Sequence, residues 1–181
     1  MKSDLYRKAL MAMVALSGLL VCTSHVSALD LFLDHRRFTD RDGNKYFVAF
    51  VARGGSATGH AFVVWGVENS KRRMSIQQAY GFYPSKGFGV FGPVPGAIRN
   101  EAFNPKSALI TDRMIVQVNR DWFEASKSEI ARWSTNQYQL FANNCIDFVR
   151  AVAQRTNSKL PARERTDTPS SHLQKIIKKN R

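Results

Sequence analysis

The apolar positions divide the chain into short strand-like runs followed by helical ones. Phe47-Val48-Ala49-Phe50-Val51-Ala52 is an unbroken apolar run rich in β-branched and aromatic residues, short enough for a buried strand. A loop by composition follows, Gly54-Gly55-Ser56-Ala57-Thr58-Gly59. His60-Ala61-Phe62-Val63-Val64-Trp65 is then apolar on both faces and is predicted to be a central strand. Ser75 to Tyr83 places Ile76, Gln78, Tyr80 and Phe82 on one face at the strand period, and Met114-Ile115-Val116-Gln117-Val118 returns to strand character. Leu29 to Asn44 is charged and ends in the turn signal Asp42-Gly43-Asn44, which predicts an irregular lead-in or a short edge strand. Between Pro84 and Pro105 the chain reads as loop. Its segment Gly87-Phe88-Gly89-Val90-Phe91-Gly92-Pro93 is too rich in glycine for a helix and suits a flap over a cleft or a solvated connection equally.

Helical periods appear in the second half. Asp121-Trp122-Phe123-Glu124 has the pattern of a capping box, and Trp122, Ala125, Ile130 and Trp133 predict a helix to about Ser134. A second helix is predicted from about Cys145 to Arg155. Beyond Pro161 the chain is basic and polar, with a short helix from Ser171 to Lys178. The sum is an α+β domain over residues 29–160, an antiparallel four- to five-stranded sheet with helices packed on it, and a basic C-terminal tail over 161–181.

Composition fits one ordinary globular domain: 181 residues, 44% hydrophobic and 23% charged, which argues against disordered and fibrous classes. The N-terminus is an address. Lys2, Arg7 and Lys8 precede the uncharged stretch Ala9–Val21, and Val26-Ser27-Ala28 supplies the small residues of a cleavage site. That order describes a secretory signal peptide over residues 1–28, so the protein is expected to be exported, periplasmic or secreted. The apolar stretch falls short of the ~20 residues that span a bilayer comfortably, although an uncleaved anchor is the alternative.

The formal charge is +13, from 27 Lys plus Arg against 14 Asp plus Glu, and most of it remains once residues 1–28 leave. Such a balance favours anionic surfaces, either phospholipid headgroups or acidic wall polymers. Export and the lack of a recognised nucleic-acid motif argue against nucleic acid. Lys175, Lys178, Lys179 and Arg181 fit a membrane-surface tail or a solvated helix face.

Cleavage would also remove Cys22, leaving Cys145 as the only thiol of an exported protein. Such a residue is a buried apolar side chain, half of an intermolecular bridge, or a reactive nucleophile. Asn144 is a good N-cap and Asp147 the matching acid three residues on, which puts Cys145 at the first helical position. The free N–H groups and dipole of a helix start stabilise a thiolate, and could hold the oxyanion formed when it attacks a carbonyl; the charge of Asp147 opposes the former. Cys145, Phe148, Val149 and Val152 also recur at helical spacing, as residues of a buried stripe do.

A nucleophilic cysteine needs a base. His35 and His172 read as ordinary solvated residues, whereas His60 opens the most apolar strand directly after a glycine loop. There it is either a strand-end histidine bonded to backbone or the partner of a helix-borne thiol. Gln78 on the neighbouring strand is the choice for orienting its ring, with Gln77 as the register-shifted alternative. The histidines lack ligand spacing and no cysteine cluster exists, so neither metal nor cofactor is expected.

Gly59-His60-Ala61-Phe62-Val63, the strand Ala79-Tyr80-Gly81-Phe82-Tyr83-Pro84, Tyr138-Gln139-Leu140 and Asn143-Asn144-Cys145-Ile146-Asp147-Phe148-Val149 together resemble the circularly permuted papain-like proteins of the NlpC superfamily. That group includes lecithin–retinol-acyltransferase-like enzymes and bacterial peptidoglycan or lipid hydrolases. In the permuted branch the histidine strand precedes the cysteine helix, the order found here. The resemblance spans roughly residues 47–157 and implies Cys145 as nucleophile, His60 as base and a polar residue on the following strand as orienter. It further implies hydrolysis of an amide or ester bond of the cell envelope, with peptidoglycan stem peptides foremost and lipid acyl esters second. A non-catalytic envelope-binding protein on the same scaffold is the rival.

Overall fold

In the computed structural model, residues 29–55, 58–87, 89–102 and 109–181 are described; the expected signal peptide lies outside them, as does Phe88 of the glycine-rich segment. The elements are β1 (Leu29–Asp34), β2 (Lys45–Arg53), β3 (His60–Glu68), β4 (Met74–Pro84), β5 (Val94–Asn100), β6 (Ile110–Val118), α1 (Arg120–Ser134), β7 (Gln137–Tyr138), α2 (Cys145–Arg155) and α3 (Pro169–Asn180). The strands form a seven-stranded sheet in the order β1-β6-β2-β3-β4-β5-β7. β3 stands in the middle, as its doubly apolar run predicts.

The class is α+β, but the sheet is larger than the four or five strands expected, and it is mixed. The charged lead-in supplies β1, an edge strand parallel to β6 with Leu31 opposite Met114, while the other pairings are antiparallel. β5 occupies part of the stretch read as loop. It pairs with β4 from Tyr80 opposite Asn100 to Pro84 opposite Gly96. The glycine that weakens its strand pattern has a packing reason: a Cβ on Gly96 would lie 2.3 Å from two carbons of the Phe82 ring.

Strand alternation sets the core. Val48, Phe50, Val63, Trp65, Met114 and Val116 are all buried and meet helix residues Phe123, Phe148, Val149, Val152, Ile176 and Ile177 in one cluster. Burying each large apolar side chain contributes about 1.5–3 kcal/mol, and that sum holds the helices to the sheet. The fully buried Trp65 indole donates to Ser126 Oγ at 2.7 Å, which satisfies its N–H and pins α1.

α1 starts one residue before the expected capping box. The side chain of its N-cap Asn119 makes no capping bond, since it is used on Arg37 N (2.8 Å) and Phe38 O (2.7 Å). The Asp40 carboxylate accepts from Arg120 N instead, at 3.2 Å.

The basic C-terminal segment is part of the fold. α3 spans Pro169–Asn180, longer than the Ser171–Lys178 expected, and packs on β2 and β6 through Leu173, Ile176 and Ile177. Gln174 Nε2 and Ser170 Oγ both donate to the fully buried Asp112 of β6, the former at 2.9 Å. Lys175 pairs with Glu164 (2.9 Å) and Asp167 (2.7 Å), and Lys179 donates to Leu160 O. Among the described residues no helix is long and apolar enough to cross a membrane.

Candidate active site

Cys145 is the first residue of α2, as the Asn144 signal predicts. Asn144 Oδ1 accepts from Ile146 N at 2.8 Å, and Asp147 returns a bond to Asn144 N at 2.9 Å. Arg163 pairs with the Asp147 carboxylate, so the negative charge near the thiol is balanced. Cys145 and His60, buried with 6% and 8% exposure, both line one cleft of about 670 Å³. Across that cleft the thiol acts on the His60 ring and favours its protonated form. Residues eighty-five positions apart are thereby brought together, because α2 begins over the end where β3 begins.

The other side of the ring holds a residue that sequence reasoning missed. Glu101, directly after β5, places Oε1 3.2 Å from His60 Nε2. The ring is turned off the line of a well-aimed bond, so the contact is mainly one of charge. Gln78 does not reach this position. It sits opposite Trp65, five residues along β4 from Tyr83, or roughly 16 Å at the strand rise, and Gln77 is exposed at the solvent end of the same strand.

Glu101 is held by two further groups. Arg53, the last residue of β2, donates from Nη1 to Glu101 Oε2 at 2.6 Å and from Nη2 to Tyr83 Oη at 2.7 Å. The Tyr83 hydroxyl donates to Glu101 Oε1. The Tyr83 ring stacks on His60, with centroids 4.1 Å apart and planes 25° from parallel. A glycine makes room for this arrangement: a Cβ on Gly81 would lie 2.3 Å from His60 Nε2 and 3.0 Å from Glu101 Oε1.

Electrostatics follow from these contacts. Burial alone lowers the His60 pKa, but Cys145 and Glu101 at the ring outweigh it and hold the value above that of a free histidine. Burial raises the Glu101 pKa, yet His60, Tyr83 and Arg53 together bring it down to about 2. Burial, then Glu101, push Tyr83 up, and burial with the nearby Cys145 pushes Tyr138 up, so both hydroxyls stay protonated. The site can therefore hold an imidazolium beside the Glu101 carboxylate.

His35 and His172 are not solvated as expected. His35 Nδ1 lies 2.8 Å from Thr156 O, tying the lead-in to the end of α2. His172 is 1% exposed, with Nδ1 2.7 Å from Asp167 Oδ2 and Nε2 3.0 Å from Arg150 Nη1. Burial lowers its pKa, and Arg150 adds to this against the pull of Asp167. This neutral ring fixes the turn before α3, and residues 165–169 of that segment form one wall of the cleft. Among the described residues no group of three or more His, Cys, Asp or Glu could hold a metal ion.

No protein-family model and no curated protein matches the chain. Among solved structures, the crystal structure of the type VI secretion system effector TseH superposes with a TM-score of 0.49 at 16% identity, over 76% of this chain and 89% of that one. A likeness of that size passes no activity from that protein to this one.

Proposed function

We propose that this chain is an exported cysteine hydrolase that cleaves an amide or ester bond of the cell envelope, peptidoglycan stem peptides being the first substrate to test. The reading rests on one observation: a helix-start thiol and a histidine backed by a buried carboxylate line the same cleft. The resemblance of its Gly-His strand and Asn-Cys helix to permuted papain-like proteins supports it, and residues 1–28 support export.

With Nε2 turned to Glu101, Nδ1 is the nitrogen left to take the thiol proton. The thiolate attacks the carbonyl carbon, a C–S bond forms and the carbonyl oxygen becomes an oxyanion. The Ile146 N–H is already on Asn144, so the oxyanion would fall to the Cys145 N–H at the helix start, and Tyr138 lines the same cleft as a further donor to test. His60 then gives its proton to the leaving nitrogen or oxygen, that bond breaks, and a thioester remains. Water, deprotonated by His60, attacks the thioester, releasing the acid and restoring the thiol. Glu101 keeps the ring oriented and stays ionised, because Arg53 and Tyr83 hold its charge.

Incubation of purified peptidoglycan and, separately, phospholipid vesicles with wild type and Cys145→Ala tests the proposal. Amino groups released from peptidoglycan by wild type alone are the expected result. Cys145-dependent release of fatty acid from vesicles would move the substrate to the lipid ester. If neither changes, the hydrolase reading falls and a binding role replaces it.

A further inference from the structure

Apolar side chains stand at the mouth of the cleft, and Lys86, Arg99 and Arg165 have no acidic partners among the described residues. From Asn69 to Asn100 the chain carries Lys71, Arg72, Arg73, Lys86 and Arg99 and no acidic residue. This stretch includes β4, β5 and the glycine-rich connection between them. The connection is anchored at its base. Ser85 N donates to Pro95 O at 2.8 Å, Leu140 N donates to Gly89 O at 3.1 Å, and a Cβ on Gly89 would lie 3.0 Å from the Tyr138 ring. Its tip projects. Phe91 is wholly exposed and Val90 is 43% exposed. Phe141, which lines the same cleft as Val90, is 45% exposed, with the Arg165 guanidinium 5.7 Å above its ring.

Among the described residues, the side chains there that carry charge without an ion-pair partner are all cationic. Lys86, Arg99 and Arg165 make no ion pair among the described residues; Arg99 donates to Pro84 O and covers the Tyr83 ring instead. The nearby acids are already taken, Asp147 by Arg163, Asp167 by His172 and Lys175, and Glu164 by Lys175. Large apolar side chains on a projecting tip, with unpaired cations on the same loop and cleft, suit the boundary of an anionic bilayer. There the apolar groups leave water and the cations meet lipid phosphates. A hydrophilic wall polymer would use the cations and leave Phe91 in water.

We propose that the cleft mouth docks on an anionic lipid bilayer, with Phe91 and Val90 entering the headgroup boundary and Lys86, Arg99 and Arg165 facing its phosphates. The docking is independent of the chemistry at Cys145 and would present the cleft to the membrane surface.

Co-sedimentation of residues 29–181, which carry the seven strands and three helices of the described residues, with vesicles of phosphatidylcholine alone or mixed with phosphatidylglycerol reads this directly. Binding is expected to the mixed vesicles, weakening with salt, and much less to the neutral ones. Phe91→Ser should lower partitioning by about tenfold and Lys86→Glu by about fivefold. Both residues are exposed, so their melting temperatures should match wild type. Cys145→Ala should bind as wild type does, which separates a failure here from a failure of the hydrolase reading. Absence of binding to the mixed vesicles, or equal binding by Phe91→Ser, would overturn the proposal. So would Phe91-dependent sedimentation with peptidoglycan but not with vesicles.

Discussion

Gly81→Ala is the sharpest perturbation of the site that leaves every polar group in place. The added methyl would lie 2.3 Å from His60 Nε2, 3.1 Å from Cε1 and 3.0 Å from Glu101 Oε1. Ordinary carbon contacts begin at about 3.5 Å, so the ring must retreat by roughly 1 Å. Neither neighbour can yield freely, since Tyr83 stacks on the ring and Arg53 holds the carboxylate. A displacement of about 1 Å in a reacting group costs on the order of 10²-fold in rate. Overpacking should cost about 1–3 kcal/mol of stability, so the fold should survive with a lowered melting temperature. The assay is the acyl-enzyme burst with p-nitrophenyl acetate, read beside a thermal melt. Gly92→Ala is the control, because a Cβ there meets nothing within 4 Å. We expect the burst rate of Gly81→Ala to fall about a hundredfold while Gly92→Ala keeps the wild-type rate. A folded Gly81→Ala protein with the wild-type burst would refute the placing of His60 and Glu101 at the reacting thiol.

Two further outcomes follow from the same charges. Arg53→Met leaves the Glu101 carboxylate buried beside fewer compensating groups and should destabilise the protein by about 3–5 kcal/mol in chemical denaturation; Arg53→Met/Glu101→Gln should recover part of that loss, and an unchanged midpoint in the single variant would contradict the clamp. Acid should unfold the protein through Glu101 and Asp167, both with folded pKa values of about 2. A carboxylate whose pKa is depressed on folding adds stability above its unfolded value and loses it as pH falls through the folded one, so melting temperature should drop between about pH 4.5 and pH 2. A flat profile over that window would contradict both assignments.

The parts of the fold legible in the sequence were those whose signals are local. Phe47–Ala52 and His60–Trp65 read as strands because they are apolar at nearly every position, and the Asn144 cap placed Cys145 at a helix start. The pairing of β1 with β6 was hidden, because a partner some eighty residues away leaves no mark on a charged edge strand. β5 was hidden by Pro95 and Gly96, although Gly96 is there to admit Phe82. Without β5, no strand in the sequence pattern brings Glu101 to His60, and Gln78 takes the orienting role from its place on the neighbouring strand. Two signals did point to Glu101: it is the first acid after Glu68, and Gly81 interrupts a strand where a ring must approach closely. His172 reads as solvated for a related reason. Its polar, basic neighbours suggest solvent, and only the fold delivers Arg150 and Asp167 to its two nitrogens.

The most direct measurement is the rate at which iodoacetamide alkylates Cys145 in the folded protein near neutral pH, in wild type and in His60→Ala. Labelling faster than that of a small free thiol, and slowed by loss of the imidazole, is the expected result. A thiol that reacts only after denaturation, or at the same rate without His60, would show that sulfur and ring do not work as a pair.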